Sequence, residues 1–122
     1  MIVLLAGGPT FGYSHPLKTM FKKGQIDIPK GFYGDKLTAK NVSLEHLKPV
    51  SKGGKTEFSN LVLASKQANG LRGNQPLSKY FNPKAFLEYA QAFVKIKTKT
   101  FDGKKYIEAI AHTIQDLLRR GE

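Results

Sequence analysis

At 122 residues, 40% of them hydrophobic, the chain fits one compact domain with a modest core and excludes a multidomain machine. Twenty Lys and Arg against nine Asp and Glu give a formal charge of +11, which favours a polyanionic partner such as nucleic acid. The absence of cysteine excludes disulfides and thiolate metal ligands.

Three regions follow in order: 1–40, 41–76 and 79–121. The opening "MIVLLAGGPT" is apolar but has no basic start, and Ile2 to Ala6 is too short for a signal-peptide core or a membrane span. It reads as a buried strand at Ile2 to Leu5 or an apolar anchor, and no membrane partner is expected. "AGGPTFG" lacks the Gly-Lys-Ser/Thr ending of a phosphate loop. "GGPTFGYSHP" and "IDIPKGFYGDKL" are dominated by turn residues, with a short helix predicted around Leu17 to Lys23 and His15 in a turn.

In the second region, "NVSLEHLKPV" alternates Val42, Leu44 and His46 against Ser43, Glu45 and Leu47, which predicts a short strand ended by Pro49. Gly53-Gly54 supplies the positive φ values of a reversal, and "NLVLAS" gives a second apolar strand. Ser65 then caps a short helix over Lys66 to Asn69 that ends near the Gly70 to Gly73 segment.

The third region is helical. Asn82-Pro83 is a cap followed by an N1 proline, and Phe86, Leu87, Ala90, Phe93 and Val94 form an apolar stripe. A second helix from about Lys104 to Arg120 places Ile107, Ile110, Ile114, Leu117 and Leu118 on one face, with His112 opposite. This pair either covers a core or forms a homodimer.

His46, Asn60 and Asn69 bracket the two strands and the helix after them. A hairpin returns Asn60 towards His46, and the following helix swings Asn69 to the same point, so Glu45, His46 and Asn69 surround one small volume. Glu45-His46, Pro49, "SKGG" at 51 to 54, Asn60 in "SNLVLAS" and Asn69 before "GLRGNQPL" together resemble the HNH nucleases. The resemblance covers about a third of the chain. It implies an α+β fold with a ββα-metal core, an irregular N-terminal region and a C-terminal helical pair, all in one domain over 1–122.

By that resemblance the activity is metal-dependent hydrolysis of DNA phosphodiester bonds. His46 is the general base, because an imidazole titrates near neutrality. Glu45 and Asn69 hold one Mg²⁺ or Mn²⁺ through hard oxygens, with Glu45 meeting it either directly or through water. Asn60 organises the hairpin that fixes His46. Lys52, Lys55, Lys66 and Arg72 contact the DNA backbone, and Arg72 also stabilises the transition-state phosphate. Family members that carry a zinc ribbon have cysteines at positions that fall on Lys30, Tyr33, Ser65 and Ala68 here, so no structural zinc is expected. The family's frequency in phages and mobile elements implies a cytoplasmic setting and a phage or mobile-element origin. A Glu where Asp is more familiar, with the missing zinc ligands, keeps open an alternative: a weak or inactive nucleic-acid-binding or inhibitor module.

Overall fold

The computed structural model describes residues 15–122. The strand expected at Ile2 to Leu5 and the turns before His15 lie outside the described residues.

Strands β1 (Val42–His46) and β2 (Leu61–Ser65) pair antiparallel, with Val42 opposite Ser65 and His46 opposite Leu61. A bond from Leu47 N–H to the Asn60 carbonyl, 2.9 Å, extends the ladder by one step. All five residues of β2 are buried, as suits its nearly continuous apolar run. In β1 the alternation fails. Val42, Glu45 and Leu47 are buried while Leu44 and His46 are half-buried. Period-two reasoning assumes one wet face, but α1 (Pro16–Lys22) packs on β1 and α2 (Lys66–Arg72) packs on both strands.

The outer edge of β2 is closed by side chains and a loop in place of a third strand. Leu63 N–H donates to the Tyr89 hydroxyl at 2.9 Å, and the Leu63 carbonyl accepts from Phe32 N–H at 2.9 Å. Tyr106 donates its single proton to the Leu61 carbonyl at 2.7 Å, so the 2.9 Å Tyr89–Tyr106 bond takes its proton from Tyr89. Burial pushes both phenols up, which keeps them protonated donors.

Tyr89 belongs to α3 (Pro83–Val94) and Tyr106 to α4 (Gly103–Arg119), two helices that pack on each other. Local capping explains their starts: Asn82 accepts from Ala85 N–H at 3.1 Å, and Asp102 accepts from Lys105 N–H at 3.2 Å. Phe32, Tyr89, Phe93, Phe101 and Tyr106 form the aromatic centre of the core, with Phe93 4.8 Å from both Tyr89 and Tyr106.

The stripe expected on α3 is rotated. Leu87 and Val94 are exposed, and Ala85, Tyr89, Ala90 and Phe93 form the buried face. Tyrosine reads as polar in an apolar count, although its ring fills this core. On α4, Ile107, Ile110, Ile114 and Leu117 are buried within the chain and His112 is exposed. The homodimer expectation loses the face that motivated it, because that stripe already covers the core.

Candidate active site

Strand β1 ends at His46, and helix α2 begins directly after β2, so three short elements converge on one strand end. Gly53 and Gly54 allow the intervening loop for different reasons. Gly53 takes φ +93°, whereas a Cβ on Gly54 would collide with the Lys48 carbonyl oxygen.

His46 is half-buried, and its Nε2 lies 2.9 Å from Thr56 Oγ1. Nδ1 makes no hydrogen bond with the described residues. Burial lowers the imidazole's affinity for a proton below the ordinary value of 6.5. Thr56 escaped the sequence reading because it sits in an exposed loop with no periodicity to mark it.

Glu45 turns inward. Its Oε2 accepts from the Tyr33 hydroxyl at 2.6 Å and from Arg72 Nη1 at 3.2 Å, and the side chain is only 5% exposed. Burial pushes the carboxyl up, against the opposing pull of Tyr33 and Arg72. The same burial, with the neighbouring carboxylate, pushes the Tyr33 phenol up.

Arg72 corrects an expectation. Its side chain is 0% exposed, so it reaches neither a DNA phosphate nor a transition-state phosphate in this structure. Nε donates to the Gln75 carbonyl at 2.9 Å, Nη1 to the His46 carbonyl at 3.0 Å, and Nη2 to the Leu47 carbonyl at 2.7 Å. Helix α2 runs to Arg72 and stops at Gly73 with φ +56°, within the Gly70 to Gly73 segment expected to end it. Its last residues carry the guanidinium behind the strand end.

Asn69 lies on the same helix. Its Nδ2 donates to Ser43 Oγ at 3.2 Å and to the Leu44 carbonyl at 3.1 Å, which pins the amide against β1. Asn60 is buried and faces the loop. Its Oδ1 accepts from Lys48 N–H at 2.8 Å, and its Nδ2 donates to the carbonyls of Lys48 and Lys55 at 3.0 and 2.9 Å. Both strands of the loop are therefore tied together two residues from His46.

Two hard oxygens, Glu45 Oε1 and Asn69 Oδ1, accept no hydrogen bond from the described residues. Each is the hard donor type taken by Mg²⁺, an ion that uses one or two protein oxygens and keeps its waters. Arg72 beside the Glu45 carboxylate opposes a cation there electrostatically. By donor chemistry the residues present suit a weakly held, water-rich divalent ion. Among the described residues, no three His, Cys, Asp or Glu cluster together.

Lys52, Lys55 and Lys66 are all exposed. Tyr33 and Ser65, at positions where a zinc ribbon would place cysteine, have other duties. Tyr33 holds Glu45, and Ser65 caps α2 by accepting from Ala68 N–H at 3.0 Å. No helix among the described residues is long and apolar enough to cross a membrane.

Residues 31–76 match the family model described as HNH endonuclease. That span contains Tyr33, Glu45, His46, Thr56, Asn60, Asn69 and Arg72. Neither the curated proteins nor the solved structures gave a match.

Proposed function

From a chain that belongs to the HNH endonuclease family through residues 31–76, we propose a metal-dependent endonuclease that hydrolyses DNA phosphodiester bonds on a ββα-metal core. What supports the reading is that Glu45 and His46 stand at the end of β1, that Asn69 of α2 bonds the Leu44 carbonyl next to them, and that the His46 ring is anchored at one nitrogen and bare at the other.

With its proton on Nε2 and donated to Thr56, His46 presents the Nδ1 lone pair to a water molecule. Its lowered pKa keeps it neutral near pH 7, the form a general base needs. Glu45 Oε1 and Asn69 Oδ1 would hold Mg²⁺ or Mn²⁺, which supplies charge neutralisation at the scissile phosphate and leaving oxygen. Asn60 keeps the loop closed beneath His46. Lys52, Lys55 and Lys66 bind the backbone phosphates through charge, which predicts affinity that falls steeply with salt.

A plasmid-nicking assay tests this reading. Wild type with Mg²⁺ or Mn²⁺ should convert supercoiled DNA to nicked or linear forms, and His46→Ala should bind DNA equally but not cut it. Equal cutting by His46→Ala sinks the assignment.

The buried Arg72–Glu45 pair favours one alternative, a catalytically weak or inactive HNH-derived nucleic-acid-binding or inhibitor module. A cation already beside the carboxylate reduces its pull on a second one. Salt-sensitive DNA binding without cleavage under any divalent ion would select that alternative.

A further inference from the structure

Arg72 is the largest side chain among the fully buried ones, in a chain with no shortage of exposed cations. Burying a guanidinium is unfavourable unless its donors find partners, and each of the three nitrogens here donates to at least one acceptor. The choice of partners is informative. Two are the carbonyls of His46 and Leu47, the residues directly after Glu45, and a third is Glu45 Oε2. Stapling a helix to a strand needs only the carbonyl bonds. It does not need Tyr33, from twelve residues upstream, to donate to that same Oε2 and leave Oε1 bare.

We propose that Arg72 and Tyr33 are positioning residues of the hydrolytic site. Together they grip the Glu45 carboxylate by one oxygen and leave the other free for a cation. Arg72 also fixes the His46–Leu47 backbone, so that the imidazole stays against Thr56 with its proton on Nε2. This inference rests on the endonuclease reading. It moves Arg72 from the DNA surface to the rear of the site and gives Tyr33 a role.

Arg72→Lys and Tyr33→Phe test it. Lysine keeps the charge but lacks the planar fork that reaches several acceptors at once, and phenylalanine keeps the ring while removing one donor. Ile110→Val, a buried core change on α4, serves as a control for general destabilisation. Three readouts apply. They are the ¹⁵N shifts of the His46 ring at about pH 8.5, where the neutral tautomers are distinguished, Mn²⁺ binding by calorimetry without DNA, and plasmid cleavage kinetics.

Wild type should show one tautomer with the proton on Nε2. Arg72→Lys should show a mixture and lose about tenfold or more in kcat with KM for DNA unchanged. Tyr33→Phe should keep the tautomer and weaken Mn²⁺ binding about three- to tenfold, since the effect expected is that of a single hydrogen bond. Ile110→Val should alter neither tautomer nor Mn²⁺ affinity.

Wild-type tautomer and Mn²⁺ affinity in both variants would overturn the proposal. So would a raised KM with unchanged kcat in Arg72→Lys, which would return Arg72 to the DNA. Should Arg72→Lys not fold, unchanged Mn²⁺ affinity in Tyr33→Phe overturns the proposal alone. A wild type that never cuts DNA refutes the endonuclease reading, and the tautomer comparison still decides whether Arg72 positions His46.

Discussion

His46 Nε2 and Thr56 Oγ1 meet at 2.9 Å across a loop of ten positions, so the ring carrying the proposed base is anchored by a residue outside both strands. Thr56→Val preserves shape and removes the hydroxyl. It should lower the cleavage rate by about tenfold, the worth of roughly one hydrogen bond. Stability should change by less than about 1 kcal/mol, because Thr56 is exposed. Thr56→Ser should restore most of the rate. A Thr56→Val enzyme with full activity removes the anchor from the mechanism.

Asn60 makes three hydrogen bonds to loop backbone from a buried position. Asn60→Ala leaves the Lys48 and Lys55 groups to find other partners, at a cost of about 2–4 kcal/mol. Asn60→Asp replaces the donating amide with a carboxylate against two carbonyl oxygens and should cost at least as much. Urea denaturation measures both, and a loss below about 0.5 kcal/mol in either would contradict the organising role.

Acid should weaken both stability and activity, for a common reason. Burial lowers the pKa of His15 and of His46 below 6.5, so the folded chain binds fewer protons than the unfolded one. The stability these neutral rings contribute is fully present above 6.5 and is lost as the pH falls through their folded values. His15 adds a local cause, since its Nδ1 accepts from Leu17 N–H at 3.1 Å to cap α1, and a protonated ring cannot accept. His15→Asn retains a capping acceptor and should flatten part of the loss in a melting-temperature series. The acid limb of the cleavage profile should likewise lie below pH 6.5, and a limb above that value would contradict a lowered His46.

Chelation should separate chemistry from folding. EDTA is expected to abolish cleavage while the thermal midpoint stays within about 2 °C, because the core is built from packed side chains around Phe93 and Tyr106. Added Mn²⁺ or Mg²⁺ should restore the rate. A large drop in the midpoint with EDTA would show that a metal supports the fold.

The parts of the fold most legible in the sequence were those with local causes. Asn82-Pro83, Ser65 and Gly73 mark helix ends because a cap bonds to a backbone group three or four residues away, within reach of any reader of the chain. Asn60 and Asn69 stand out through an ordered spacing from His46 rather than through any local pattern. The burial of Glu45 is not readable from alternation, which presumes one wet face, whereas α1 packs on β1 and α2 on both strands. The charge of Arg72 points to the surface, but its Nη1 and Nη2 partners on β1 lie 25 to 27 residues earlier, with Tyr33 a further 12 away from Glu45. No local pattern encodes a bond of that span. Thr56 was invisible for the opposite reason, since an exposed threonine in a loop is ordinary everywhere.

The two tyrosines that complete the edge of β2 have a consequence for how the protein behaves in a crowded solution. A two-stranded sheet with an apolar second strand is open to recruitment of a third strand from another molecule, which is how fibrillar growth begins. Here the Leu61 carbonyl and both backbone groups of Leu63 already have partners. An incoming extended peptide finds nothing to grip along the most hydrophobic segment of the sheet. Two phenolic hydroxyls and one loop amide guard this edge against templated strand addition.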